Sequence, residues 1–398
     1  MTTPLPRVVG CLIVKDERRY LEECVRSMRA VCDRVVIVDT GSTDGTVEIA
    51  RRLADVVAEC PFDGDFSQAR NVALDLVEDA DWVLFLDADE RIHSGQLEPL
   101  RAALRSASPD VGGITLLRYN FFPSGGFYTG RVLKLFRHRP DVRYERKVNE
   151  SVKGSLRAAG LRVVDSECLL THIGHCRPRA ERDAKALRYM ELMTSQLADA
   201  PHDAVLTAYV GLNLRLFGRV DEAVEWTRRA LAIDDGLAVV WAFHGHVLRA
   251  RGEVDESIKA YQEGLARQPD DLSLLNMVGV SAASTGDLDR AQAVFGEVAR
   301  TGPALVHAVV NQGLVAQARG DHDTAVERFT AAANAFPPLL TEEPVLRLEA
   351  DPFACLYFET VTGYAGLGHH LAYAMACAEG RITPSRVNCA PIGAGSRG

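Results

Sequence analysis

Gly218, Gly252, Gly286 and Gly320 stand 34 residues apart at every step, and this period constrains the fold more than any other feature of the chain. Each glycine opens a similar phrase: Gly218-Arg-Val-Asp-Glu-Ala223, Gly252-Glu-Val-Asp-Glu-Ser257, Gly286-Asp-Leu-Asp-Arg-Ala291 and Gly320-Asp-His-Asp-Thr-Ala325. A helical stretch follows each phrase, and three of the stretches end near Pro269, Pro303 and Pro337. The glycine lets the chain turn after one helix, the acidic residues suit the start of the next, and the small residue permits close packing. A helix–turn–helix unit this short cannot bury its apolar face alone, so its copies must stack. The period therefore predicts an all-α array over 181–379, capped by helices around Tyr189 and over 353–378. The tail 380–398, with Pro384, Pro391, Gly393, Gly395 and Gly398, reads as disordered.

The N-terminal part has a different texture. Val8–Val14, Arg34–Asp39, Val56–Cys60 and Trp82–Asp87 are near-continuous runs of Val, Ile and Leu, which suits strands buried on both faces. Between them Leu21, Cys24, Val25, Met28 and Val31 recur at helical spacing, as do Val47, Ala50, Leu53 and Ala54. A third helix holds Phe66, Ala69, Ala73, Leu76 and Val77. Such alternation predicts a parallel, doubly wound sheet. Beyond Gly112, Ile114–Phe122 and Val132–Arg137 read as longer, antiparallel strands around a Gly-rich loop, Pro123–Gly130, and Cys168–Ile173 closes this half. A chain of 398 residues suits two domains, set at 1–180 and 181–379. Its net charge of −9 argues against nucleic acid or an acidic membrane surface as partner. Nine cysteines without a CxxC pair suit free thiols in a reducing cytoplasm. No apolar run approaches the roughly 18 residues of a membrane span, and no basic-then-apolar signal opens the chain.

Two strands run directly into acid. Trp82-Val83-Leu84-Phe85-Leu86 is followed by Asp87-Ala88-Asp89-Glu90, and Val35-Val36-Ile37-Val38 is followed by Asp39. In an open α/β sheet, ligands bind beyond the carboxyl ends of parallel strands. Two aspartates one residue apart can share a hard divalent cation with a diphosphate.

These runs, with Ile13-Val14-Lys15-Asp16-Glu17, Val38-Asp39-Thr40-Gly41-Ser42-Thr43-Asp44-Gly45-Thr46 and Phe66-Ser67-Gln68-Ala69-Arg70-Asn71, come in the order and spacing of family 2 glycosyltransferases. Residues 7–175 resemble that family, and the 34-residue units resemble tetratricopeptide repeats. The fusion is similar to the subgroup of peptide S-glycosyltransferases of glycocin biosynthesis. The resemblance implies a GT-A fold, Rossmann-like with a mostly parallel sheet, followed by an all-α repeat domain. It implies a nucleotide-sugar site holding Asp39, Glu17, Arg70 and Asp87. It further implies Mg²⁺ or Mn²⁺ bound by Asp89, with His172 of Thr171-His172-Ile173-Gly174-His175 completing the shell. Glu17 also reads as a carboxylate favoured at a helix N-terminus, and Ser42, Thr43 and Asp44 as helix-capping residues. A zinc cluster of Cys168, His172, His175 and Cys176 has a spacing that matches no common structural site.

The resemblance makes Glu150, in Tyr144-Glu145-Arg146-Lys147-Val148-Asn149-Glu150-Ser151, the general base of an inverting displacement. Asn149 departs from the histidine of the subgroup's Val-His-Glu motif, and an amide cannot take up a proton. On this reading the chain moves a hexose from a UDP-sugar, with UDP-glucose the first donor to test, to a Cys, Ser or Thr of a peptide or protein bound along the repeats. Alternatives are an envelope-polysaccharide or small-molecule acceptor, or a non-catalytic scaffold. The expected setting is cytoplasmic, and a homodimer is compatible with it.

Overall fold

The computed structural model describes residues 6–121, 127–302, 305–340 and 367–381. The chain separates into two compact units, residues 1–120 with 129–174, and residues 121–128 with 175–398. In the first, the apolar runs form β1 (Val8–Val14), β2 (Arg34–Asp39), β3 (Val56–Glu59) and β4 (Trp82–Phe85). The remaining strands are β5 (Glu90–Arg91), β6 (Val111–Phe121), β7 (Phe127–Arg137) and β8 (Arg162–His172). The eight make one sheet in the order β3-β2-β1-β4-β7-β6-β8-β5. The pairs β1–β2, β1–β4, β2–β3 and β6–β8 are parallel, whereas β7 runs antiparallel to β4 and β5 antiparallel to β8. The predicted mostly parallel sheet is therefore present.

Alternate residues of each strand face opposite ways, which gives the sheet two cores. Leu12, Val35, Ile37 and Leu84 pack against α1 (Leu21–Arg29), α2 (Thr46–Leu53) and α4 (Leu97–Ser106) through Leu21, Cys24, Met28, Ala50, Leu100 and Leu104. Cys11, Val36, Val38, Val83 and Phe85 pack on the other face against α3 (Phe66–Asp75) and α5 (Lys153–Ala158) through Ala73, Leu74 and Leu156. Several boundaries shift from expectation, among them the start of β6, at Val111 rather than Ile114. β4 stops at Phe85, so Asp87 lies in the turn beyond it; β7 already starts at Phe127; and β8 starts at Arg162. The helices α4 and α5 were not foreseen.

From residue 175 on, the described residues of the second unit form helices and the turns between them. After α6 (Arg179–Asp199), which contains Tyr189, come the pairs α7 (Ala204–Leu214) and α8 (Val220–Ile233), α9 (Ala238–Ala250) and α10 (Val254–Arg267). Next are α11 (Leu272–Ser284) and α12 (Leu288–Thr301), then α13 (Val306–Ala318) and α14 (His322–Ala335). The predicted glycines Gly218, Gly252, Gly286 and Gly320 all have positive φ, from 71° to 87°, and terminate the first helix of each pair. Asp287 and Asp321 cap α12 and α14, each accepting from the backbone N–H three residues on (3.1 Å). A second row at the same period, Gly211, Gly245, Gly279 and Gly313, escaped the sequence reading. There the two helices of a pair touch: a Cβ on Gly245 would meet the Tyr261 ring at 2.5 Å, and one on Gly279 would meet the Phe295 ring at 2.6 Å. α15 (Leu367–Ala378) packs on α13 and α14, while 353–366 of the expected cap and the tail 382–398 lie outside the described residues. Among the described residues, no helix is long and apolar enough to cross a membrane.

Candidate active site

Parallel register brings the ends of β1, β2 and β4 to one edge of the sheet: Val14 pairs with Asp39, and Cys11 pairs with Phe85. Asp39 is only 3% exposed there. Its Oδ1 accepts from the backbone N–H groups of Gly41 and Ser42, both at 2.9 Å, and its Oδ2 is buried without a hydrogen-bond partner. A buried carboxylate oxygen left open is costly in a fold and is a ready acceptor for a ligand N–H or O–H. The loops after β1 and β2 are tied together. Ser42 Oγ accepts from Asp16 N (2.9 Å), Asp16 Oδ1 accepts from Thr43 N (2.8 Å), and Thr46 Oγ1 accepts from Glu17 N (2.8 Å). Glu17 was expected to open α1, but it lies in the turn before it, its carbonyl accepting from Leu21 N (3.0 Å). Asp44, one residue before the Gly45 N-cap of α2, accepts from Thr46 N at 3.0 Å.

The acidic turn after β4 splits into two halves with different partners. Asp87 Oδ1 accepts from Arg70 Nη2 (2.9 Å) and Oδ2 from Lys134 Nζ (2.9 Å). Burial works against its charged form, but Lys134 and then Arg70 outweigh it and hold the carboxyl well below the usual range. Glu90, fully buried, accepts from Lys134 Nζ (2.7 Å) and Arg118 Nη1 (3.1 Å), and its Oε2 also closes the turn by accepting from Asp87 N (2.9 Å). Asp89 meets the end of β8. Its Oδ1 lies 3.4 Å from His172 Nε2, because β5 pairs Glu90 with His172 and so lays the acidic turn along the end of β8.

The other ring nitrogen of His172 is 2.9 Å from Asn120 Oδ1, the residue paired with it across β6 and β8. In the tautomer whose Nδ1–H donates to that oxygen, Nε2 carries its lone pair toward Asp89. Two electron-pair donors facing each other invite a cation between them, and an imidazole anchored by its second nitrogen is the usual arrangement of a metal ligand. Gly174 keeps the space beside them open, since a Cβ there would meet His172 Nε2 at 2.5 Å and Asp89 Oδ2 at 2.7 Å. This pair fits a Mg²⁺ or Mn²⁺ that takes its remaining oxygens from elsewhere. Among the described residues no group of three His, Cys, Asp or Glu side chains converges as a complete metal set.

Glu150 reaches the same region from a loop. Glu145 and Ser151 bridge its ends, and Arg146 and Asn149 inside it have positive φ, 79° and 52°. Asparagine tolerates that backbone better than most residues. The Glu150 side chain is 13% exposed, and its Oε1 accepts from Arg70 Nε at 2.7 Å. Arg70 itself is buried, with its guanidinium 4.6 Å from the Phe85 ring centroid and 5.3 Å from that of Tyr144. Burial alone would lower its pKa, yet Glu150 and Asp87 together hold it well above the ordinary value. Arg70, Asp87 and Glu150 are thus brought into direct contact, and Asp89 and His172 into a second pair. Neither Lys134, Arg118 nor Glu90 was assigned a role from sequence. A lysine inside the apolar run Val132-Leu133-Lys134-Leu135-Phe136 was the available signal, because a charge in a buried strand requires partners.

Residues 11–137 match the model for glycosyl transferase family 2, and residues 244–306 match a tetratricopeptide repeat model. The chain carries a family 2 glycosyltransferase domain and tetratricopeptide repeats. A TPR repeat-containing protein of Synechococcus elongatus is 32% identical over 233 residues, 57% of this chain and 57% of that protein. The SPbeta prophage-derived glycosyltransferase SunS of Bacillus subtilis is 22% identical over 231 residues, 57% of this chain and 53% of its own. The lipopolysaccharide core biosynthesis glycosyltransferase LpsC of Rhizobium meliloti is 30% identical over 160 residues, 37% of this chain and 57% of that one. The chain therefore spans little more than half the length of these relatives.

Proposed function

We propose that this protein is a metal-dependent inverting glycosyltransferase that moves a hexose from a UDP-sugar to a Cys, Ser or Thr side chain of a peptide or protein. The observation that carries this reading is the Asp89–His172 pair beside Gly174, on the sheet edge where Asp39 keeps a buried oxygen open. Asp39 Oδ2 would accept from the uracil imide or a ribose hydroxyl, with Glu17 near the base. Asp87 is partly exposed, so its outer edge stays available to the ribose. Asp89 and His172 Nε2 would hold Mg²⁺ or Mn²⁺, whose charge offsets that of the donor diphosphate.

In the transfer, a lone pair of the acceptor sulfur or oxygen attacks the anomeric carbon on the face opposite the diphosphate. The bond from that carbon to the diphosphate oxygen breaks, and its electron pair leaves with UDP. The acceptor's proton passes to the Glu150 carboxylate, which Arg70 orients through its Nε–H. Asn149 takes no proton, so Glu150 serves alone. A thiol acceptor needs this help least, since a pKa of about 8.5 already leaves some thiolate. Repeat stacks present extended surfaces that suit a peptide acceptor. The free thiols of the described cysteines suit a cytoplasmic setting.

Donor hydrolysis with Mn²⁺ across a panel of sugar nucleotides is the test, followed by transfer to cysteine-, serine- and threonine-containing peptides. Turnover of one UDP-hexose that stops on chelation is the expected result. Neither turnover nor nucleotide binding with any donor would overturn the reading. A second reading, an envelope-polysaccharide acceptor, draws on the likeness to the lipopolysaccharide core enzyme of Rhizobium meliloti. Transfer to a core oligosaccharide in preference to peptides would favour it.

A further inference from the structure

Six charged side chains of the N-terminal unit form one unbroken alternation of acid and base: Glu150, Arg70, Asp87, Lys134, Glu90 and Arg118. The successive contacts are 2.7 Å, 2.9 Å, 2.9 Å, 2.7 Å and 3.1 Å. Three carboxylates meet three bases, so the chain of contacts is neutral in itself. It joins the loop carrying Glu150, the helix α3, the acidic turn after β4, and the strands β7 and β6.

Lys134 sits near its middle, 7% exposed, in a strand whose other residues are mostly apolar. A buried ammonium is costly to desolvate, and a well-packed apolar side chain at such a place is often at least as stabilising. Fold stability is therefore a poor account of this lysine. Its geometry gives a better one. Lys134 takes one oxygen of Asp87 while Arg70 takes the other, which fixes the plane of that carboxylate. The fixed carboxylate holds Arg70 Nη2, and the rigid guanidinium fork then presents Nε to Glu150.

We propose that Lys134 is a positioning residue for glycosyl transfer, acting through Asp87 and Arg70 to hold Glu150 against the acceptor's proton. This rests on the glycosyltransferase reading above and deepens it: the donor-side turn and the acceptor-side base behave as one electrostatic unit. Lys134 Nζ meets Asp87 and Glu90, so its influence on Glu150 runs through Asp87 and Arg70. A purely structural lysine would alter stability, or the affinity for donor, without any dependence on Glu150.

The experiment is a double-mutant cycle on the full chain: wild type, Lys134→Met, Glu150→Gln and the double variant, with transfer kinetics at saturating donor and donor Kd by calorimetry. Lys134→Met should lower kcat by about tenfold or more while donor Kd moves less than about threefold. In the Glu150→Gln background the same change should cost almost nothing, because the base it positions is already gone. Lys134→Arg should recover much of the loss. If Lys134→Met melts below the assay temperature, Glu90→Gln, which frees one side of the ammonium, enters the cycle in its place. Losses that multiply in an active enzyme, or a loss carried wholly by donor Kd, would overturn the linkage and leave the glycosyltransferase reading standing. A wild-type protein inert toward every donor would instead remove both.

Discussion

The two units solve the problem of a tight interior in opposite ways. In the repeats, closeness comes from absence: Gly211, Gly245, Gly279 and Gly313 give up a side chain so that Thr227, Tyr261, Phe295 and Phe329 can lie against the neighbouring helix. In the N-terminal unit the interior is crowded with charge, and Glu90, Lys134 and Arg70 are buried only because each is held by an opposite charge. A seam of small residues is tolerant of what surrounds it and repeats easily. A buried chain of ion pairs is not, since removing one member strands its neighbour in a poor solvent. That asymmetry makes the first unit the place for chemistry and the second a place for surface.

The sharpest break of the comparison is Asp89→Ala. Asp89 Oδ1 stands 3.4 Å from His172 Nε2, in the pair that would hold the metal. Its loss should lower transfer by about a thousandfold or more while the far-UV circular dichroism stays native. A variant that keeps full metal-dependent turnover would remove the pair from the mechanism. Next in size, Glu150→Gln should cut kcat by about a hundredfold or more with donor affinity nearly unchanged. If the acceptor is a thiol, the defect should shrink as pH rises, because the thiol then ionises unaided; an alcohol acceptor should show no such rescue. A kcat near wild type at neutral pH would point away from Glu150.

The same asymmetry explains what the sequence disclosed. The repeats were legible because their determinants are local: a glycine with positive φ and the helix start beside it recur every 34 residues, and structure follows within each unit. The parallel sheet was legible from the apolar runs of β1, β2 and β4. The Gly211 row was readable at the same period and was missed, because its partners Thr227, Tyr261, Phe295 and Phe329 lie on the next helix rather than beside it in sequence. Arg70 meets Asp87 and Glu150 from 17 and 80 residues away, and Lys134 meets Asp87 from 47. No spacing rule connects such positions; for Lys134 the register of β4 with β7 does, by bringing it level with the end of β4.

The repeat seams can be tested against the repeat turns. Gly279→Ala forces a Cβ to within 2.6 Å of the Phe295 ring, so it should destabilise the unit by ~1–3 kcal/mol through overpacking. Gly286→Ala meets nothing within 4 Å but must hold a φ of 85°, and should cost ~1–2 kcal/mol through backbone strain alone. Thermal melts separate the two mechanisms. Gly286→Asn should regain part of its loss, because asparagine tolerates this backbone, whereas Gly279→Asn should be worse than Gly279→Ala. Equal behaviour of the two asparagine variants would mean that the seam is looser than the distances say.

The smallest effect, and the one that divides the units most cleanly, is acid. His244 is buried against Thr227 Oγ1 (2.9 Å), and burial, then Arg228 and Arg251, push its pKa down to about 4 despite Glu253. His246 lies 3.1 Å from the Tyr261 hydroxyl and is pushed to about 3 by burial, then Arg215 and Arg249; burial alone takes His307 to about 3. Each is neutral in the folded repeats and would ionise near pH ~6.5 once unfolded. The unfolded state therefore binds more protons below that point, so the stabilisation is whole above pH ~6.5 and is lost as pH falls toward 4 and then 3. In the N-terminal unit the resolved shifts of this sign are chiefly carboxylates, Asp44, Asp55, Asp87, Glu98, Asp110 and Asp141, with His93 as the exception. Its stability should hold until pH approaches 4. Hydrogen exchange on the full chain, corrected for intrinsic rates, should show α9 and α13 losing protection between pH 6.5 and 4.5 while β1 and β2 keep theirs, with the repeat melting point falling by a few degrees. Simultaneous loss in both units over that window would mean that the histidines do not govern it. His244→Asn should then leave the acid profile unchanged, whereas on the present account it flattens the repeat profile alone.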